Sequence, residues 1–454
     1  MIPWAEDFRM RISKPANVPQ NAKSMAKNNN QTRIFVYADW LQMKTPQLMG
    51  CLFSERIRGK EIFSFEYERT WLQSPYAQTI DPALQLYEGS QFLAEDQENF
   101  GIFLDSSPDR WGRLLMRRRE AALARIEERP EQRLFETDYL LGVYDAHRMG
   151  GLRFKLEEKG PFLNNSDHLT TPPWTTLREL EAISLKLETE DISEDPEYLK
   201  WLNMLTVPGA SLGGARPKAG VVDEEGQLWI AKFPSRNDQG DIGGWEAVAY
   251  ELAQRAGIRM TASKARKFSS PNHTFLTQRF DRTATGKRIH FASAMTLLRY
   301  TDGQDFHDGA SYLELAEFIS MQGAHVNEDL EELWRRIVFS ICVSNTDDHL
   351  RNHGFLLREE GWQLSPANDI NPTETGTGLK LNISENDNAL DLNLALSVID
   401  YFRLNKKQAL KIIEQVTTAV KDWKAVSKKY GFSREEQELK SLAFSKADSA
   451  MTKN

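Results

Sequence analysis

Asp347 and Asn352 stand five positions apart in Asn345-Thr346-Asp347-Asp348-His349-Leu350-Arg351-Asn352. That is the spacing at which a loop sets a proton-accepting carboxylate and a metal-holding amide beside a transferring phosphoryl group. The Asp takes the proton of an attacking hydroxyl, and the Asn oxygen holds magnesium over the phosphates. Upstream, Lys232 ends the apolar run Leu228-Trp229-Ile230-Ala231-Lys232, and a small-residue loop, Ser211-Leu212-Gly213-Gly214-Ala215-Arg216-Pro217-Lys218, precedes that run. Downstream, an isolated acid, Asp369, follows Pro366-Ala367-Asn368. Loop, lysine, Asp/Asn pair and late Asp fall in the order that phosphoryl transfer from a nucleotide requires.

These side chains act only if the backbone holds them. Gly213, Gly214 and Ala215 let backbone amides approach phosphate oxygens. The segment is not a Walker loop, since no Gly-Lys-Ser/Thr follows, and a plain hairpin entry is its other reading. Arg216 and Lys218 would add positive charge there. Strand alternation puts Ile230 and Lys232 on one face, Ala231 and Phe233 on the other. A lysine among apolar residues needs a partner. It is either an edge-strand lysine reaching water or a phosphate-gripping lysine steadied by Glu246 of the next helix. Asp347, Asp348 and His349 follow a helix rich in Ile337, Val338, Phe339, Ile341 and Val343, so a polar cluster there is expensive unless used. His349 would orient the loop or a phosphate. Asp348, His349 and His353 as ligands of a hydrolytic metal are the alternative, without the Glu between histidines of the metalloprotease pattern. Asp369 leaves a short strand, Trp362-Gln363-Leu364-Ser365, where a second magnesium ligand belongs; a turn cap is its other reading.

The pattern along the chain predicts a flexible polar arm over 1–32 and an aromatic antiparallel sheet from Ile34, Met49–Phe53 and Ile62–Tyr67, with a turn at Arg58-Gly59-Lys60. A helix follows Asp105-Ser106-Ser107-Pro108-Asp109-Arg110-Trp111-Gly112, with Ser107 as N-cap, Pro108 at the first helical position and Asp109 favouring the positive helix start, running to about Glu128. A shorter helix spans Leu134–Val143, and Met149–Phe154 return to strand. The Asn-, Ser-, Thr- and Pro-rich stretch 157–175 marks a loose boundary, and a helix follows over 175–190. Residues 209–233 read as loop, strand, turn, strand; 244–256 as a helix closed by Gly257; Lys264–Phe268 and Thr274–Phe280 as a strand pair. Beyond about residue 312 the chain reads mainly helical, at Tyr312–Gln322, Asp329–Ser344 and Lys406–Lys429. The expected fold is α+β and bilobal: an N-terminal subdomain (33–155), a small antiparallel-sheet lobe (156–280) and a mainly helical lobe (281–454).

Composition narrows the classes. The 454 residues suffice for two or three domains, and no apolar run nears the roughly 20 residues of a membrane span. The N-terminus has no basic region followed by an apolar stretch. Cys51 and Cys342 lack metal-type spacing and read as buried thiols of a reducing cytoplasm. A formal charge of −8 argues against a general nucleic-acid field. Arg117-Arg118-Arg119, on a helix that also carries Glu120, Glu127 and Glu128, reads as a solvated helix face rather than a DNA contact.

Taken together, these stretches, with Arg279-Phe280-Asp281-Arg282, Ser365-Pro366-Ala367-Asn368-Asp369-Ile370 and Gly151-Leu152-Arg153-Phe154, resemble the HipA-type serine/threonine kinase toxins of bacterial type II toxin–antitoxin systems. The resemblance runs from about residue 33 to beyond 400. It implies a diverged two-lobed kinase fold using ATP and Mg2+. It matches Ser211 to a self-phosphorylated loop serine, Lys232 to the nucleotide-gripping lysine and Asp347 to the catalytic base. Asn352 and Asp369 match the metal ligands, and Gln278 and Phe280 match the segment whose backbone meets adenine. It also implies a helix-turn-helix antitoxin of the HipB kind, operator DNA bound mainly through that partner, and a translation-related protein substrate such as an aminoacyl-tRNA synthetase. Position 348 is Asp where some members have Gly, and position 368 is Asn where others have Tyr. Gln278 stands where another member has an acid, which leaves substrate choice open. The rival readings are a non-catalytic kinase-like regulator and a small-molecule phosphotransferase.

Overall fold

Period-two burial builds the first layer. In the computed structural model, which describes residues 31–94, 97–166, 171–189, 193–206 and 216–449, strand β1 (Gln31–Ala38) buries Ile34, Val36 and Ala38 on one face. Strand β2 (Gln47–Ile57) pairs with it, and β3 (Lys60–Tyr67) pairs with β2, both in antiparallel register. Arg58 and Gly59 turn the hairpin at φ +50° and +78°. After helix α1 (Arg69–Leu72) come β4 (Ser90–Phe92), α2 (Gly101–Asp105), α3 (Arg110–Ile126), α4 (Glu136–Gly142) and β5 (Leu152–Lys155). The sheet order is β4-β3-β2-β1-β5.

Helices α5 (Leu177–Leu187) and α6 (Tyr198–Thr206) lead into β6 (Lys218–Val222) and β7 (Leu228–Lys232). Helix α7 (Ile242–Arg255), β8 (Ser263–Arg266) and β9 (Thr274–Gln278) complete a four-stranded sheet ordered β6-β7-β9-β8. Its faces sort by alternation. Ala219, Val221, Trp229, Ala231 and Leu276 pack in one apolar cluster against α5, α6 and the Trp111–Ala122 stretch of α3. At roughly 1.5–3 kcal/mol per large buried side chain, that layer is what holds the small sheet in place. The opposite face carries Lys218, Ile230, Lys232, Phe275 and Thr277.

A third sheet, β10 (Phe291–Ser293), β11 (Gly354–Leu357) and β12 (Trp362–Leu364), lies among α8 (Ala294–Leu297), α9 (Tyr312–Gln322) and α10 (Val326–Cys342). The remaining helices are α11 (Leu392–Ser397), α12 (Lys406–Lys421), α13 (Trp423–Lys429), α14 (Arg434–Lys440) and α15 (Ser445–Ser449). The largest core is continuous from the first sheet (Ile34, Phe63, Phe65) through α7 (Val248, Leu252) to α10 (Trp334, Ile337) and α12 (Ile412, Val416). Among the described residues no helix is long and apolar enough to cross a membrane.

Local details depart from the sequence expectations. Asp109, not Ser107, caps α3, accepting from the Gly112 amide at 2.9 Å. The Ser107 hydroxyl donates back to the Phe103 carbonyl instead, because α2 ends immediately before it. The Arg117–Arg119 run is not a purely solvated face: Arg119 Nε donates to Asn203 at 2.7 Å and Arg118 reaches the Leu187 carbonyl. The segment read as one helix over 406–429 is two, α12 and α13, joined at Asp422.

Candidate active site

Lys232 ends β7 with its ammonium pointing into the cleft between the four-stranded sheet and the helical half. Its Nζ lies 2.6 Å from Glu246 Oε1 and 2.6 Å from Asp369 Oδ1. All three groups sit where water is scarce: the side chains of Lys232, Glu246 and Asp369 are 10%, 5% and 25% exposed. Burial works against the Lys232 charge, but the two carboxylates outweigh it and raise the ammonium's pKa. Burial likewise lifts the Glu246 carboxyl above its usual range, and Lys232 offsets only part of that rise. Asp369 goes the other way: against burial, Lys232 foremost, with Lys218 and His349 behind it, brings it down to about 2. The site is thus a three-membered charge cluster, one cation between two anions.

Each member is held by its element. Asp241 caps α7, accepting from the Gly244 amide at 2.9 Å, and Glu246 follows one turn in. Trp245 stacks on Phe432 at 4.1 Å, and Trp423 on Phe444 at 4.5 Å, so the C-terminal helices grip α7 from behind. Asp369 adopts φ +56°, a left-handed conformation that Asp tolerates better than most residues. Asn371 Nδ2 donates to Asp369 Oδ1 at 3.0 Å, and Asn345 accepts from the Asn371 amide at 3.1 Å, tying the Asp369 turn to the start of the Asp347 loop.

In that loop the Asn352 amide nitrogen donates to the Asp347 carbonyl at 3.3 Å, which turns its own Oδ1 free; that oxygen is buried and has no hydrogen-bond partner. A buried, unpaired amide oxygen is the kind of donor that a hard cation such as magnesium takes. Asp347 itself is exposed. It lines an open depression with Arg110, Asp302, Asp305, His349 and Lys380. The His349 ring is half-buried with Nδ1 unpaired. Asp348 and His353 do not face the cleft as metal ligands. Tyr312 donates its hydroxyl to Asp348 Oδ2 at 2.6 Å, and His353 Nε2 lies 3.1 Å from Asp348 Oδ1, all buried beneath the loop.

The cavity around Lys232 is lined by Lys218, Ile230, Tyr250, Met260, Phe275, Thr277 and the 367–370 turn. Gln278 and Phe280 do not line that cavity; they line a separate surface depression with Glu225, Gln227, Thr261 and Arg282. The Gln278 amide donates to the Ala262 carbonyl at 2.8 Å, and Phe280 packs with Ile230 and Phe291. The connection beyond them is pinned by Asp281, which accepts from the Gly150 amide at 2.8 Å and pairs with Arg279 at 2.6 Å. Ser211, Gly213, Gly214 and Ala215 lie outside the described residues. The structure joins Lys232, Glu246 and Asp369 directly; the Asn352 carbonyl accepts from Asn368 Nδ2 of the neighbouring turn at 3.3 Å, and Asp347 and His349 line a separate depression. Sequence reasoning missed Asn371 and Asp109. Asp109 places Oδ2 2.6 Å from Lys218 Nζ, a contact across 109 positions that no local pattern announces.

The family model of the HipA-like C-terminal domain matches residues 210–423. Over the whole chain, the fold is similar to that of the solved complex of HipA and HipB with operator DNA from Shewanella oneidensis MR-1, with a TM-score of 0.62 at 15% identity, covering 92% of this chain and 97% of that one. The chain is 24% identical over 184 residues to a Haemophilus influenzae Rd protein described as "Putative kinase", covering 36% of this chain and 52% of that protein. It thus spans about half the length of that curated relative. A weaker likeness, TM-score 0.39 over 53% of this chain and 89% of the other at 17% identity, is to the Helicobacter pylori proinflammatory kinase CtkA.

Proposed function

Residues 210–423 belong to the HipA-like C-terminal domain family, and on that premise we propose that the protein is an ATP- and magnesium-dependent serine/threonine protein kinase acting as the toxin of a toxin–antitoxin pair. The observation that carries the reading is Lys232, 2.6 Å from both Glu246 and Asp369 and buried on the cleft face of a small sheet. A structural lysine would need one partner. A lysine strung between a helix carboxylate and a metal-ligand candidate is placed for nucleotide phosphates.

The residues divide the work. Lys232, steadied by Glu246, holds the phosphates, and the backbone around Ser211–Ala215 covers them. Asn352 Oδ1 and the Asp369 carboxylate would hold magnesium, which when bound neutralises phosphate charge. Gln278 and Phe280 bound the adenine end, and His349 orients the loop. Asp347 accepts the proton of a Ser or Thr hydroxyl. That oxygen forms a bond to the γ-phosphorus as the bond to the ADP oxygen breaks. Positioning and charge placement supply most of the rate.

A protein acceptor is the reading we favour for the depression at Asp347, whose side chain is exposed. The proposed target is a translation-related protein, for instance an aminoacyl-tRNA synthetase in the cytoplasm, and Ser211 is the proposed site of self-phosphorylation. The Shewanella relative is seen with HipB and operator DNA. By analogy a HipB-like helix-turn-helix antitoxin would neutralise this chain and supply most of the DNA contact, in keeping with its −8 charge. The subdomain at 33–155, the sheet lobe at 156–280 and the helical lobe at 281–454 are the proposed units.

Purified protein incubated with γ-labelled ATP and magnesium tests the reading. Label on the protein itself and on a protein of a cell extract supports it. Label on small molecules alone favours a metabolite phosphotransferase, and no transfer at all favours a non-catalytic regulator.

A further inference from the structure

Lys218 and Lys232 face each other across β6 and β7 as a directly opposed pair. Both are buried, at 4% and 8% exposure, and both line the same cavity. Like charges opposed in a sheet destabilise it, so each must be compensated. Lys232 is compensated by Glu246 and Asp369. Lys218 meets Asp109, whose Oδ2 lies 2.6 Å from its Nζ. Asp109 is 3% exposed and belongs to the N-terminal subdomain, far from the rest of the nucleotide site in sequence. Its other oxygen caps α3 through the Gly112 amide at 2.9 Å. One turn on, Trp111 Nε1 donates to the Lys218 carbonyl at 3.0 Å. The first turn of α3 therefore grips one residue of β6 by both backbone and side chain.

We infer that Asp109 is a positioning residue for the nucleotide phosphates: it fixes the Lys218 ammonium in the cleft as a second phosphate-facing cation beside Lys232. The inference rests on the proposed kinase reading, and it makes the N-terminal subdomain a contributor to the site. The geometry explains why a carboxylate is used at this cap. Ser, Thr and Asn cap helices as well as Asp does, but only Asp or Glu also carries a charge for a buried lysine. Lys218, Lys232, Glu246 and Asp369 line one cavity, so the two lysines and two carboxylates share one electrostatic site.

Asp109→Asn separates the two duties, because Asn keeps the capping oxygen and removes the charge. Full-length Asp109→Asn protein is compared with wild type by calorimetric titration with ATP–magnesium and, separately, with adenosine. The expected result is an ATP Kd raised about tenfold, from the loss of one oriented charge-assisted contact of roughly 1.4 kcal/mol. Adenosine affinity should stay within about twofold, and in turnover the KM for ATP should rise with kcat at saturation largely kept. In a Lys218→Met background the same Asp109→Asn change should add little. Equal losses for ATP and adenosine, an unchanged ATP Kd, or a full tenfold effect in the Lys218→Met background would each overturn the inference. Failure of wild-type protein to bind ATP at all would instead refute the kinase reading.

Discussion

Lys232→Met removes the cation that Glu246 and Asp369 share directly and leaves them as two carboxylates in one buried site, with Lys218 on the same cavity wall. Methionine keeps the length and the apolar stem, so the loss is almost wholly of charge. Breaking a buried pair by deleting one partner costs about 3–5 kcal/mol. The protein has one escape, which is to protonate Glu246, already the carboxyl that burial pushes upward. Holding a Glu neutral costs about 1.36 kcal/mol per pH unit above its unfolded value near 4.3. That is about 5 kcal/mol at pH 8 and about 1.6 kcal/mol at pH 5.5. The sign follows from linkage. An acid whose folded pKa is raised contributes stability present at low pH and lost as pH rises through that folded value. The penalty should therefore be about 3–5 kcal/mol at pH 8 and no more than about 1.6 kcal/mol at pH 5.5. At about 1 °C per kcal/mol for a 454-residue chain, the variant should melt about 3–5 °C below wild type at pH 8 and no more than about 2 °C below it at pH 5.5. Differential scanning calorimetry of both proteins at both pH values is the assay. An equal depression at the two pH values would refute the claim that Lys232 neutralises two buried carboxylates, and an unchanged melting temperature would refute its burial.

Asp347→Ala should abolish phosphoryl transfer with less than about 0.5 kcal/mol change in stability, since the side chain is exposed; near-normal labelling from ATP would show that another group takes the proton. Ser211→Ala should remove one site of self-labelling, and Ser211→Asp should weaken ATP binding by adding negative charge beside the phosphates; mass spectrometry and titration check the two. Cys51 and Cys342 are buried, and burial pushes Cys342 up to about 12, so neither thiol should react with a disulfide reagent at pH 8 until urea unfolds the chain. A chain beginning near residue 175 should lose solubility or nucleotide binding, because it discards Asp109 and the Trp111–Ala122 face of the sheet's core.

Short-range chemistry was the readable part of this sequence. Alternation alone assigned Ile230 and Lys232 to one face and Ala231 to the other, which is how the sheet divides into a cleft side and a core side. Glu246 was legible as a partner for Lys232 because a strand, a loop and a capped helix fix its reach within 14 positions. Asp109 was legible only as a helix-start residue. Its contact with Lys218 depends on how α3 packs across the sheet, and packing of distant elements leaves no periodic trace. The same limit explains Arg118 and Arg119, whose polar partners on α5 and α6 come from tertiary contact. The break at Asp422 escaped notice because the apolar stripe continues through it; the turn there is backbone geometry.

The clamp on α7 bears on how such a molecule can be controlled. With Trp245 sandwiched against Phe432 and the Trp423–Phe444 stack behind it, the helix carrying Glu246 is not free to swing out and disconnect Lys232. An off-switch of that sort would require peeling away the tail of the chain. Control of catalysis is left to whatever covers or uncovers the phosphates and to whatever fills the depression at Asp347. It also makes the last third of α13 to α15 an allosteric liability. A lesion at Phe432 or Phe444, outside the Lys232 cavity, would loosen Glu246, one of the two carboxylates that hold Lys232.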